Sequence, residues 1–150
     1  MATYNMGQWK QCPQRKIKQR LSTITRTIDF SIQPIATPSV PAAWAAGDII
    51  ELIGIRAGQI VLGVTVDIKK KLVDGRFEIG DGTHRGRWGS YDMDTEGVID
   101  PHSGVIEGND QYFFPHTYAT SDTIDVRIQS ATPTSGRAQI SVHLIETERN

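Results

Sequence analysis

The residues able to carry chemistry crowd into one stretch, from Gly80 to His102. Asp92, Asp94 and Glu96, closed by Gly97, begin like a calcium loop. An EF-hand needs a glutamate at the twelfth position, and Ser103 stands there. A looser oxygen site on those three acids competes with a plain solvated acidic loop. Asp81 and Asp94 could pair as a general acid and base, but any chain with 17 acids offers such pairs. Gly89-Ser90-Tyr91 lacks the Gly-x-Ser-x-Gly turn that exposes a nucleophilic serine. His84, His102, His116 and His143 fall at no metal-ligand spacing, and Cys12 is remote from all of them. No catalytic residue, cofactor or metal is therefore expected. What remains is Arg85, Arg87, Trp88 and Tyr91, the residue types that dominate protein interfaces. Stacking of a sugar, with Trp88 and Tyr91 as platforms, or of single-stranded nucleic acid is the competing use of the same residues.

These residues need elements to hold them, and the patterning is that of strands. Ile60, Leu62, Val64, Val66 and Ile68 alternate with Val61, Gly63, Thr65, Asp67 and Lys69, so a half-buried strand is expected with the first set inward. Ile49 to Ile55 precedes it, and Phe77 and Ile79 follow after Asp74-Gly75, a hairpin signal. A three-stranded antiparallel unit is the expectation for Asp48 to Gly82. Gly80-Asp81-Gly82 opens a long irregular region reaching about Asn109, and loops of that length usually face a partner. Thr23 to Ile32 alternates as a further strand, and Pro34, Pro38 and Pro41 mark an extended linker after it. Ala42 to Ala46 could add one helical turn, and Gln14 to Leu21 a short helix. A strand is expected at Gln111 to Phe114. A last hairpin would turn Ile124, Val126 and Ile128 inward, then Ala138, Ile140, Val142 and Leu144, around the turn at 131–136. Seven or more short strands with no ordinary helix predict an all-β sandwich.

At 150 residues one domain is expected, 23–150, preceded by an arm at 1–22. The first 28 residues hold Lys10, Arg15, Lys16, Lys18, Arg20 and Arg26 and no acid. That leaves ten bases against seventeen acids beyond them, a balance of −7. A basic arm on an acidic body points to a negative partner surface. Tyr4 and Trp9, with Lys10, Arg15, Lys16, Lys18 and Arg20, are the candidate contacts of that arm. Met1 to Trp9 has no apolar core of a signal peptide, and no apolar run approaches the ~18 residues that span a bilayer. One cysteine permits no internal disulfide, and cytosolic folding is the simpler reading.

The strand-turn order also carries a resemblance. Ile55-Arg56-Ala57-Gly58, Ile60 to Val64, Ile79-Gly80-Asp81-Gly82-Thr83, Ser121 to Val126 and Thr132-Pro133-Thr134-Ser135-Gly136 run in sequence. This pattern, from about Asp48 to Ile145, resembles a family of small structural proteins of tailed bacteriophages, some of which are capsid decoration, or cement, proteins. The resemblance implies a jelly-roll-like antiparallel β-sandwich, here with an extended N-terminal arm, and no enzyme. It implies a homotrimer, made in the host cytoplasm, that binds the major capsid protein on the outer surface of the virion and bridges neighbouring subunits. Arg85, Arg87, Trp88 and Tyr91 would then face a sister subunit or the shell, with neither a membrane nor nucleic acid as partner. A receptor-binding or carbohydrate-binding module of a head or tail fibre is the alternative.

Overall fold

The computed structural model describes residues 19–32, 35–36, 40–41, 44–99, 115–129 and 133–147. The strand expected at Gln111 to Phe114 and most of the arm lie outside these residues. So does the first part of the expected 14–21 helix, whose last residues, from Gln19, are strand.

The chain runs β1 (Gln19–Asp29), β2 (Ile35–Ala36), β3 (Val40–Pro41), β4 (Ile49–Ile55), β5 (Ile60–Lys70), β6 (Arg76–Gly80), β7 (Ser90–Asp92), β8 (Gly97–Ile99), β9 (His116–Thr117), β10 (Asp122–Ile128) and β11 (Arg137–Thr147). One sheet has the order β1-β11-β5-β8, with β9 on the same strand β5. The other has the order β4-β10-β6-β7. All pairings are antiparallel. The proline-punctuated linker is partly paired, because β2 and β3 form a small ribbon of their own. Ala45 to Asp48 make a hydrogen-bonded turn, while Ala42 and Ala43, where the expected helical turn would begin, lie outside the described residues.

Both expected hairpins are corrected by this topology. β4, β5 and β6 do not pair with one another. The chain crosses from one sheet to the other after β4, back after β5, and again between β10 and β11. Asp74, at φ 60°, and Gly75 do make a tight turn. It arches between sheets because Met93 fastens it from outside, through Leu72 N–H to Met93 O at 3.0 Å and Met93 N–H to Gly75 O at 2.8 Å. Arg56 to Gln59 likewise arches, and Tyr118 holds it through Gly58 N–H at 2.7 Å and Gln59 O at 3.0 Å. The two sheets form an antiparallel sandwich, and repeated crossing of this kind is compatible with the expected jelly-roll-like arrangement.

The core lies between the sheets. Phe77, Ile79, Ile124, Val126, Ile128, Ala138, Ile140, Val142 and Leu144 all point into it as their alternation predicts. β5 departs from its pattern. Leu144 opposes Val61 and His143 opposes Gly63, so Leu62 is an extra residue and the strand changes phase there. Val61 is fully buried, whereas Ile60 and Leu62, expected inward, are only half-buried. β1 contributes Ile28, and Phe30 follows directly after the strand, set edge-on to Trp44 with centroids 6.1 Å apart. The expected irregular region also contains order: β7 extends the second sheet and β8 the first.

Candidate functional site: a braced loop and the cleft beside it

The loop that leaves β6 is shaped by two residues at its root. At Gly80 an added Cβ would stand 2.0 Å from the Arg85 carbonyl oxygen, so only glycine lets the loop fold back over the strand end. Asp81, next to it, is 2% exposed. Its Oδ1 accepts from the backbone N–H of Thr83 at 3.0 Å and of His84 at 2.7 Å. Its Oδ2 accepts from the Tyr118 hydroxyl at 2.9 Å and from Arg87 Nε in a buried ion pair. The backbone closes around this carboxylate. Asp81 N–H donates to His84 O at 3.0 Å, Arg87 N–H to the same oxygen at 3.2 Å, and Trp88 N–H to Ile79 O at 2.8 Å.

Arg87 is the hub. Its other nitrogens approach Nδ1 of His84 at 2.7 Å and Nδ1 of His116 at 3.4 Å. A guanidinium only donates, so both Nδ1 atoms accept, and the ring N–H of a neutral imidazole is then at Nε2. Burial and the charge of Arg87 hold the His116 pKa below its ordinary 6.5. Burial pushes Asp81 upward, but the bonds from the His84 amide, Tyr118 and Arg87, with the Arg87 charge, outweigh it and leave its pKa below 3.8. Burial and the neighbouring Asp81 charge raise Tyr118, so its hydroxyl stays a donor. The His116 ring meets Tyr118 edge-on at 4.7 Å. A loop whose carboxylate accepts four bonds is rigid, and it can position a side chain.

The side chain it positions is Arg85, which is exposed. Of the four basic and aromatic residues read as a surface cluster, it alone lies there. Arg87 is 8% exposed, Trp88 2% and Tyr91 2%. Trp88 and Tyr91 are core residues: Tyr91 stacks on Phe77 at 5.7 Å and donates to Trp88 O at 2.7 Å. Rings so enclosed offer no stacking face to a sugar. Of the arm residues, Arg20 lies exposed on β1, and Tyr4, Trp9, Lys10, Arg15, Lys16 and Lys18 fall outside the described residues.

The acids of the calcium-like stretch face different tasks. Asp92 pairs with Arg76 at 2.6 Å, Asp94 accepts from Asp74 N–H at 2.8 Å, and Glu96 accepts from Lys71 N–H at 3.3 Å. They brace the β5–β6 arch: Asp92 and Asp94 line one cleft with Asp74 and Arg76, Glu96 is not part of it, and among the described residues no three such groups are placed to hold a metal ion. Asp81, the other half of the suggested carboxylate pair, is committed to Arg87. His143 bridges Thr23 at 3.0 Å and Thr65 at 2.8 Å across three strands.

Beside Arg85 lies a cleft of about 120 Å³ lined by Ile49, Asp81, Gly82, Arg85, Asp125 and Arg127. Asp125 and Arg127 come from the outer face of β10. The sequence marks them only as outward-facing, and no local motif brings Ile49 to them, because β4 and β10 pair over some seventy residues. Arg127 donates to Glu78 at 2.7 Å, and Glu78 also accepts from Gln129 at 2.9 Å. Asp125 Oδ1 and Arg127 Nε are buried with no hydrogen-bond partner among the described residues.

No family model matches the chain, and no curated protein matches it. Solved structures do. A chain of the acid-stable capsid structure of Helicobacter pylori bacteriophage KHP30 aligns with 87% of this chain and 94% of its own, at 8% identity and TM-score 0.46. A chain of the cyanophage Pam1 capsid asymmetric unit aligns with 86% of this chain and 85% of its own, at 14% identity and TM-score 0.52. The sandwich described above is therefore similar in fold, over nearly its whole length, to a chain found in a cyanophage capsid.

Proposed function

We propose that this chain is a bacteriophage virion structural protein: a capsid decoration, or cement, protein that binds the outer head surface and bridges neighbouring major capsid subunits. The observation that carries the proposal is the fold match to the Pam1 capsid chain, which spans 86% of one chain and 85% of the other. The charge division supports it. Residues 1–18 carry Lys10, Arg15, Lys16 and Lys18 and no acid, Arg20 and Arg26 follow in β1, and the chain beyond Ile28 is acidic, so the arm suits an acidic shell surface. The arm enters the sandwich directly at Gln19, the first residue of β1, and Arg85 is held out on a braced loop. A homotrimer would repeat these contacts, and repetition raises occupancy without any single strong site.

Deleting residues 1–18 leaves β1 whole and tests the reading. Capsid occupancy of the deleted protein, measured by quantitative gel analysis of purified particles, should fall well below that of the full chain. Undiminished occupancy would refute the bridging arm. Binding should also weaken as salt is raised, because exposed charge pairs are screened within a Debye length of about 8 Å at physiological ionic strength.

A further inference from the structure

The polar cluster around Asp81 joins the two sheets at one end of the sandwich. Asp81, His84 and Arg87 stand on the loop that leaves β6, a strand of the second sheet. His116 lies on β9, paired with β5 in the first sheet, and Tyr118 directly follows that strand. The Tyr118 hydroxyl crosses to Asp81 Oδ2 at 2.9 Å, and Arg87 crosses to His116 Nδ1 at 3.4 Å. Acid treats these two ties differently. The first runs from a phenol whose pKa is raised to a carboxylate whose pKa is lowered, so it persists through the range in which imidazoles titrate. The second needs a lone pair on Nδ1. A protonated imidazole has none, because both of its nitrogens donate. His84 is under the same condition, since its Nδ1 accepts from the same guanidinium at 2.7 Å. Both rings are half-buried, so solvent protons can reach them.

We propose that His116 and His84 form an acid-released latch on the loop that presents Arg85. With both rings neutral, Arg87 is held among them and Asp81, and the loop is drawn against β9. Protonation of His116 removes the acceptor that ties the loop to the first sheet and sets a second cation against the guanidinium. Protonation of His84 does the same within the loop. The groups around His116 favour release. The loop turns Arg87, Asp81 and His84 toward it, β10 contributes Asp122 at its first residue, and β5 opposes it with the uncharged Val61. Its own segment adds the Tyr118 ring, edge-on at 4.7 Å. His84 in turn faces Arg87, Asp81 and His116. The two acids do not relieve the repulsion. Asp81 is already engaged four times, and Asp122 Oδ1 accepts from the N–H groups of Gly82 at 3.3 Å and Thr123 at 2.8 Å. Burial and the Arg87 charge outweigh both acids at His116, which therefore resists protonation while the latch is closed.

Imidazole ring resonances and amide hydrogen exchange of the labelled full chain, followed from about pH 8 to about pH 5, test the latch. His116 should titrate below 6.5. Over the same interval the protection of the Thr83, His84 and Arg87 amides, corrected for intrinsic exchange, should fall by about tenfold for each pH unit by which closure depresses a histidine's titration. The signals of Val126 and Ile140, buried on β10 and β11, should meanwhile keep their folded positions. Exchange of the loop amides should be insensitive to low urea, because a local opening exposes little surface. His116→Asn offers an amide oxygen that does not titrate, so it should blunt the response, and His84→Asn added to it should abolish the rest. His143→Asn, at the ring that bridges Thr23 and Thr65, should leave the response intact. Loop protection that stays constant while His116 titrates overturns the latch. So does loss of folded signals throughout the chain at the same pH, or loop exchange that accelerates with urea as the core does. A full acid response in the double variant overturns it as well. All of these are read on the free chain, so failure of capsid binding bears on none of them.

Discussion

Two aspartates at one corner of the sandwich have opposite surroundings. Asp81 accepts four hydrogen bonds and sits below its ordinary pKa. Asp125 leaves one oxygen buried without a partner. Its pKa is raised, first by burial and then by Glu51, Asp122 and Asp81, against a lowering hydrogen bond from Thr123. Glu51 opposes it directly across the β4–β10 ladder, an arrangement of like charges that costs stability. The first carboxylate belongs to the finished fold. The second stays only partly satisfied by the fold, with one oxygen enclosed and unbonded among the described residues.

The contrast breaks most visibly at Asp81. Asp81→Ala strands the buried Arg87 and frees two backbone N–H groups, and removal of one partner from a buried ion pair typically costs about 3–5 kcal/mol. Urea denaturation should show a loss of that size, and the same loss in Asp125→Ala would erase the distinction. Gly80→Ala forces a Cβ into the Arg85 carbonyl and should cost about 1–3 kcal/mol, as overpacking generally does. A wild-type Tm after Gly80→Ala would show that the loop does not depend on that close approach.

Acid separates the two further. His116, lowered in the folded chain, is neutral in both states above 6.5. As pH falls below 6.5 the unfolded chain takes up its proton first, so stability declines until the lowered folded value is passed. Asp81 contributes stability fully above 3.8 and loses it as pH falls through its lower folded pKa. Melting temperature against pH should therefore fall in two steps. His116→Gln should remove the upper step alone. Asp125 has the opposite sign: its contribution is present below 3.8 and is lost as pH rises through its raised folded value. The smallest effect follows from it. Asp125→Asn should raise the Tm slightly at neutral pH and leave it unchanged in strong acid, and a fall at neutral pH would mean that the charge has a partner.

Much of the sandwich is legible in the sequence, and the parts that are not have physical reasons. Alternation assigns the inner faces of β6, β10 and β11 correctly, because burial on one side of a sheet imposes a period of two. Asp74-Gly75 announces a reversal but not which sheet receives the chain. That is settled by Met93, some twenty residues on, and turn chemistry is blind to it. The Leu62 bulge hides in an unbroken alternation, since nothing local marks the extra residue. Trp88 and Tyr91 read as surface residues because the chain around Gly86 and Gly89 has no period to reveal an inward turn. Arg87 reads as an interface cation because its partner lies six positions upstream, a spacing with no regular meaning. The cleft is the least legible part, being assembled from two strands, β4 and β10, and the loop after β6, all distant in sequence.

β1 has a mechanical consequence. It begins where the basic segment ends and is matched residue for residue with β11 from Gln19↔Thr147 to Asp29↔Arg137, without a bulge. Tension drawn through the leader along the strand axis would load that ladder in shear, with all eleven pairs resisting together. A tether anchored this way holds far better than one peeled away a rung at a time.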